Sequence, residues 1–142
     1  MENIINNTGS SENTANLTTA NITEPKALAE KIIAVLDAKK AGGMKLLHVE
    51  EQTVLTDYFV ICSGSSNTQI KALANEVDFQ IAEQLGLHPT NIEGLNEATW
   101  VVLDYGSVIV HIFNRETRLY YNLEKLWIDS KEIDINTLLT DK

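Results

Sequence analysis

From Pro25 onward the apolar residues fall into alternating helical and strand periods. Leu28, Ile32, Val35 and Leu36 recur at helical spacing and predict a helix over about 25–40, halted by Gly42-Gly43. A short strand is expected over Lys45–Glu50. Tyr58–Ser63 (YFVICS) is apolar on both faces and reads as a buried strand. Ser63-Gly64-Ser65-Ser66 turns the chain into a long helix. There Ser66 and Gln69 match a capping box, Ile70, Leu73, Val77, Ile81 and Leu85 form the inward stripe, and Gly86 is the stop. Phe79 lies off that stripe and is expected to be at least partly exposed. Asn114 can cap a short helix over about 115–121, and one more turn carries Leu123, Leu126 and Trp127, with Trp127 expected to plug the core. After Asp129 the pattern weakens. The order α-β-β-α-β-β-α predicts an α/β protein of the mixed α+β kind: a mixed sheet of four to five strands flanked by helices. If Tyr58–Ser63 and the next strand are parallel neighbours, the crossover between them should be right-handed.

Residues 99–113 (TWVVLDYGSVIVHIF) read as a β-hairpin turning at Tyr105-Gly106-Ser107, with the two-residue loop at either Tyr105-Gly106 or Gly106-Ser107. Both choices divide the faces alike. Val101, Leu103, Val108, Val110 and Ile112 share a uniformly apolar face that must be core. Trp100, Val102, Asp104, Ile109, His111 and Phe113 share the other, which is too apolar for water and too polar for ordinary core. It is the most informative surface in the sequence.

The 142 residues suit one domain. Residues 1–24 are rich in Asn, Thr and Ser without periodicity and read as a disordered tail, residues 25–128 as the folded domain, and 129–142 as a weakly structured C-terminal tail. The Asn-x-Thr triplets at Asn6, Asn16 and Asn21 are chance products of that tail's composition, because no secretory signal precedes them. No apolar run is long enough to span a membrane, and the one cysteine, Cys62, fits a reducing, cytoplasmic setting. The net charge of −9 argues against direct, nonspecific nucleic-acid binding, since affinity for phosphate comes from Lys and Arg. An acidic chain can still reach a ribonucleoprotein through a basic protein component.

Catalytic readings fare poorly. Cys62 and His111 could meet as nucleophile and base, yet Cys62 sits in an apolar strand with no basic neighbour to activate it. His48, His88 and His111 stand at no metal-ligand spacing. Gly64-Ser65-Ser66 lacks the lysine of a phosphate-binding loop and the glycine fingerprint of a dinucleotide fold. Glu76 and Asp78, the nearest acidic pair, point apart on a helix and do not make a magnesium site. The expectation is therefore no catalytic residue, metal or cofactor. What is left is the mixed hairpin face and a concentration of interface-type residues: Trp100, Tyr105, Arg118, Tyr120 and Tyr121.

The stretch Thr56-Asp57-Tyr58-Phe59-Val60-Ile61-Cys62-Ser63-Gly64-Ser65-Ser66 resembles the signature of the ribosomal silencing factor, or Iojap, family. So do Glu93-Gly94, Trp100–Gly106, Val110–Phe113, Arg118, Tyr121-Asn122-Leu123-Glu124 and Leu126-Trp127, in the same order and spacing, over about residues 26–128. Asn114, where many such proteins carry an acidic residue or histidine, and the long N-terminal tail depart from the pattern. The resemblance implies a fold similar in topology to nucleotidyltransferases without their magnesium-binding acids. It implies a translational repressor that binds the large ribosomal subunit through its ribosomal protein number fourteen and sterically keeps the small subunit away. Relatives in organelles serve ribosome assembly, and homodimers appear among such proteins, which leaves self-association open. Combining both lines, the expected partner-binding residues are Trp100, Val102, Asp104, Tyr105, His111, Glu93, Asp57, Arg118 and Tyr121. Trp100 is the expected central anchor, whose replacement should cost binding and leave the fold intact. The competing readings are a ribosome-biogenesis or general protein-interaction module and, last, a nucleotidyltransferase-like enzyme.

Overall fold

The computed structural model describes residues 24–139, so the reading of residues 1–24 as a disordered tail falls, Glu24 aside, outside the described residues. Helix α1 (Pro25–Ala38) is followed by strands β1 (Gly42–His48) and β2 (Tyr58–Ser63), then by the long helix α2 (Asn67–Leu85). Strands β3 (Asn91–Glu93), β4 (Trp100–Asp104) and β5 (Val108–Phe113) come next. Two short helices, α3 (Arg115–Tyr121) and α4 (Leu123–Leu126), precede strand β6 (Lys131–Ile133) and a 3-10 turn over Ile135–Leu138. The strands form one mixed sheet in the order β3-β4-β5-β2-β1-β6.

The mixed α/β class holds, with six strands rather than four or five. The two additional strands, β3 and β6, have three residues each and lie at the two edges of the sheet. Three residues are too few to show a period of two, so pairing with a longer neighbour defines them and patterning does not. Ile133, Ile135, Leu138 and Leu139 pack on the main core, giving an element to the stretch after Asp129 whose patterning was weak. The expected crossover is also different. The parallel neighbour of β2 is β5, the second strand of the hairpin, with Tyr58 opposite Val108 and Ser63 opposite Phe113. Strand β4 lies beyond β5 and antiparallel to it, so β2 and β4 are not adjacent.

Local signals explain most of the boundaries. Ser66 Oγ accepts the Gln69 N–H at 3.0 Å, and Gly86 takes the left-handed conformation that closes α2. Gln69 reaches back to the Ser65 N–H, one residue before the position a strict capping box would use. Helix α1 ends two residues earlier than expected. Lys40 turns through φ +65° and Ala41 N–H returns to the Leu36 carbonyl, so the chain has left the helix before it reaches Gly42. At the hairpin, Tyr105 N–H donates to the Val108 carbonyl, which makes Gly106-Ser107 the two-residue loop.

Helices α1 and α2 pack on one face of the sheet. Leu28, Ile32, Leu36, Ile70, Leu73, Val77 and Ile81 there meet Leu46, Val60 and Cys62 and the hairpin residues Val101, Leu103, Val108, Val110 and Ile112 in one buried cluster. The apolar hairpin face is thus core, as its pattern demands. The other face carries a smaller cluster of Leu47, Val49, Phe59, Ile61 and Phe113, roofed by Trp100, Ile109, Leu123 and Trp127.

The turn between β3 and β4 fixes how the second cluster begins. Gly94 has φ +84°, and a Cβ there would lie 2.1 Å from the Trp100 carbonyl oxygen. Gly106 is equally left-handed (φ +86°) but has open space around it. Gly94→Ala should therefore cost about 3 kcal/mol, and Gly106→Ala about 1 kcal/mol, read as shifts of the urea midpoint at constant m-value. Equal costs at the two sites would contradict this account of Gly94.

Candidate functional site

The register of the hairpin brings Trp100 opposite Phe113, Val102 opposite His111 and Asp104 opposite Ile109. All six side chains share the face away from α1 and α2, as their alternation requires. On that face Trp100 stacks on Phe113 (ring centroids 4.9 Å apart, 25° between planes), and its indole Nε1–H donates to His111 Nδ1 at 3.1 Å. Phe59 meets the edges of His111 and Trp127 at 5.1 and 5.2 Å. Tyr121 of α3 lies over Trp100 at 4.8 Å, and Tyr120 stands against Tyr121. Trp127 thus plugs this smaller cluster and not the main core.

Two short helices roof the face, and one polar clamp holds them. Asn114 Oδ1 caps α3 by accepting the Thr117 N–H at 2.7 Å. Arg118 then donates from Nη1 to Ser63 Oγ (2.8 Å) and from Nε and Nη2 to the Glu124 carboxylate (3.3 and 2.9 Å). One guanidinium so ties α3, α4 and the end of β2 together. Its hydrogen bond to Glu124 holds that carboxyl below its usual range despite partial burial. Gly43 makes room for the clamp, since a Cβ there would come within 2.9 Å of Arg118 Nη1.

The roof is too small for the face. Its outer residues Leu119, Tyr120, Tyr121, Leu126 and Ile128 are exposed, Tyr120 by 81% and Tyr121 by 53%. Toward the β3 edge, Val102 and Ile109 are only half-buried, and Glu93 and Asp104 stand beside them. The result is an apolar, aromatic surface running from α3 across Trp100 to Val102 and Ile109, with carboxylates at its far rim. Exposed patches of this kind mark contact surfaces.

The residues expected to bind a partner separate accordingly. Trp100, Val102, His111 and Tyr121 come together, and Glu93 joins them through its pairing with Val102. Arg118 adjoins them but is occupied as the clamp. Asp104 is on the same face near the hairpin turn, where its carboxylate accepts the Gly106 N–H at 2.8 Å. That is about 13 Å along the strand from Trp100. Asp57 lies at the start of β2, beyond the opposite side of that turn, where its N–H donates to Ser107 O. Tyr105 packs on the main core. Its hydroxyl is buried without a hydrogen-bond partner among the described residues, and burial, then the charge of Asp78, pushes its phenol upward. The sequence reading did not single out Leu119, Leu126 or Ile128. A usable signal was present: seven of the ten residues 119–128 are large and apolar, more than two short helices can bury.

Cys62 and His111 are not a pair. Cys62 faces the main core and sits opposite Ile112 in the register, whereas His111, opposite Ile61, faces the aromatic side. Burial pushes the Cys62 thiol up to about 12, the reverse of an activated nucleophile. Among the described residues no group of three His, Cys, Asp or Glu could hold a metal ion, and no helix is long and apolar enough to cross a membrane.

The fold thus presents a half-roofed aromatic sheet face and no catalytic set among the described residues. Residues 22–142 match the family described as "Ribosomal silencing factor during starvation". The ribosomal silencing factor of Bacillus subtilis is 40% identical over 78% of this chain and 93% of its own length. A mouse protein named for mitochondrial assembly of the ribosomal large subunit is 31% identical over 69% of this chain and 44% of its own length. A crystal structure of a Chromobacterium violaceum protein superposes with a TM-score of 0.71 at 32% identity, covering 74% of this chain and 87% of that one. The chain belongs to the ribosomal silencing factor family.

His111 supplies a pH test of the buried stack. It is 7% exposed, and burial lowers its pKa from 6.5 to about 4. Its Nδ1 accepts a hydrogen bond from the indole N–H, which puts its own proton on Nε2, buried with no hydrogen-bond partner among the described residues. The unfolded chain takes up a proton near pH 6.5 and the folded chain does not, so stability is full above that pH and declines as pH falls from 6.5 toward 4. Between pH 7 and 5.5 this amounts to about 1 kcal/mol. Urea melts should show that loss in the natural protein and a markedly smaller one in His111→Phe. A flat profile from pH 7 to 5.5 would contradict the buried, neutral imidazole.

Proposed function

We propose that this protein represses translation by occupying a protein component of the large ribosomal subunit, the ribosomal protein numbered fourteen, so that the small subunit cannot join. The carrying observation is the aromatic face that its own helices leave half-roofed. Trp100 and Tyr121 form its centre, exposed Leu119 and Tyr120 extend it, and Glu93 and Asp104 rim it. A flat apolar centre with acidic margins suits a basic protein partner. The rings provide area that burial can use, and the carboxylates favour approach and register. A contact of roughly 800 Å² per partner needs only a few such anchors to be stable. Steric exclusion then requires no bond making. The same occupancy serves large-subunit assembly if it comes early, a second reading favoured by the name of the mouse relative. Such a repressor works in the cytoplasm, where ribosomal subunits meet.

The anchors differ in what they cost. Tyr121 is on the outside of the stack, so Tyr121→Ala should cost only about 1 kcal/mol of stability and weaken co-sedimentation with purified large subunits about tenfold or more. Trp100 is half-buried between Phe113 and Tyr121 and bonded to His111. Trp100→Ala should therefore lose about 3 kcal/mol of folding stability as well as binding, in place of the intact fold the sequence suggested. In sucrose gradients, adding the protein to large subunits before small ones should lower the fraction of joined ribosomes, and Tyr121→Ala should restore it. Joining that is equally efficient at saturation would overturn the proposal.

A further inference from the structure

The whole-chain charge of −9 conceals a segregation along the strands. At the end where β2 begins, burial and then the charges of Glu50, Asp57, Glu24 and Glu30 push the Tyr58 phenol up, an acidic neighbourhood. At the opposite end the fold joins two stretches that are distant in sequence. One holds Lys39, Lys40 and Lys45 and the other Arg115, Arg118 and Lys125, together six of the eleven lysines and arginines. Arg118 beside Gly43 is the point where they meet.

Between them lies an open cleft of about 430 Å³. Lys40 and Arg115 stand at its walls, the backbone of Gly42, Gly43 and Gly64 forms its floor, and no acidic side chain lines it. A second hollow of about 330 Å³, which Glu124 also lines, continues from it along α3, past Arg115 and Arg118 to the exposed Leu119. Some of the positive charge is already used: Arg118 pairs with Glu124 and Lys45 with Glu132. Lys40 and Arg115 make no ion pair among the described residues. The first turn of α2 is closed on itself, because Gln69 Oε1 takes both the Ser65 N–H and the Ser65 hydroxyl, so the cleft's attraction comes from its side-chain cations.

We propose that this cleft is a second contact, one that takes the phosphate backbone of RNA beside the protein docked on the aromatic face. It rests on the reading of the protein as a large-subunit binder and adds the chemistry of a neighbouring site. Two cations that make no ion pair among the described residues, set in a glycine-floored cleft, match a polyanion by charge. Their local field survives the acidic end, which lies a strand length away, because screening at physiological salt acts within about 8 Å. Helix α3 contributes to both contacts, with Tyr120 and Tyr121 on the aromatic side and Arg115 in the cleft. A ribonucleoprotein surface, with protein and RNA side by side, offers both chemistries at once.

The test uses the full chain, a fluorescein-labelled RNA hairpin over a KCl series that includes physiological salt (about 150 mM), and the double variant Lys40→Glu with Arg115→Glu. Both residues are exposed, so the fold should be unaffected, which near-ultraviolet circular dichroism checks. The natural protein should bind the hairpin weakly, with affinity falling steeply with salt. The double variant should bind about tenfold or more weaker with a flatter salt slope, and Tyr121→Ala should bind it as the natural protein does. No binding by the natural protein, or equal binding by the double variant, overturns the cleft as an RNA contact. So does a charge-reversal defect that appears with the isolated ribosomal protein and not with RNA, which would make the cleft a protein contact. The docking proposal stands or falls separately, on Tyr121→Ala and purified large subunits.

Discussion

A six-stranded sheet has two faces to cover, and this chain has one long helical layer and one short one. Helices α1 and α2, with the 3-10 turn after β6, cover the first face. The second is left to α3 and α4, seven and four residues long, held by the Arg118 guanidinium between Ser63 and Glu124. Helices of that length have little stability of their own, so the ring contacts beneath them and this one clamp keep them in place. Because the cover is small, the rings of Trp100 and Tyr121 stay within reach of another molecule. The surface proposed to recognise a partner is the unfinished part of the hydrophobic core.

This arrangement explains why His111 sits in the stack. An aromatic face closed by aliphatic residues alone would leave the Trp100 indole N–H buried without an acceptor, at a cost of roughly 1–3 kcal/mol. The imidazole accepts a hydrogen bond from that N–H and packs like another ring against Phe59 and Phe113. In turn its own Nε2–H is left without a partner among the described residues, and the depressed pKa follows from the same burial. Stability has been exchanged for a flat, rigid ring surface, a pattern common where a fold must present a binding site.

Much of this was legible in the sequence, and the reason is periodicity. Alternation in residues 100–113 divided the hairpin correctly into a core face and a mixed face, and helical spacing with the Ser66 cap located α2. What escaped was whatever depends on distant pairing. The edge strands β3 and β6 have no pattern of their own, and only the register shows that β5 and not β4 lies beside β2. Single-residue roles were hidden for the same reason. Arg118 looked like an interface arginine, and its use as a clamp requires knowing that Ser63 and Glu124 lie beside it. Tyr105, two residues from Leu103, follows the core-facing alternation, and neither its type nor the resemblance shows that it packs on the main core. Net charge is silent in a similar way, since a sum of −9 does not say where the positive residues collect.

The central claim is that the half-roofed aromatic face is the surface that docks. Hydrogen–deuterium exchange of the protein, alone and saturated with purified large ribosomal subunits, tests it most directly. The account predicts new protection concentrated in residues 100–104 and 115–128, with the outer sides of α1 and α2 exchanging as in the free protein. Protection confined to α1 and α2, with the hairpin and α3 unchanged, would contradict it.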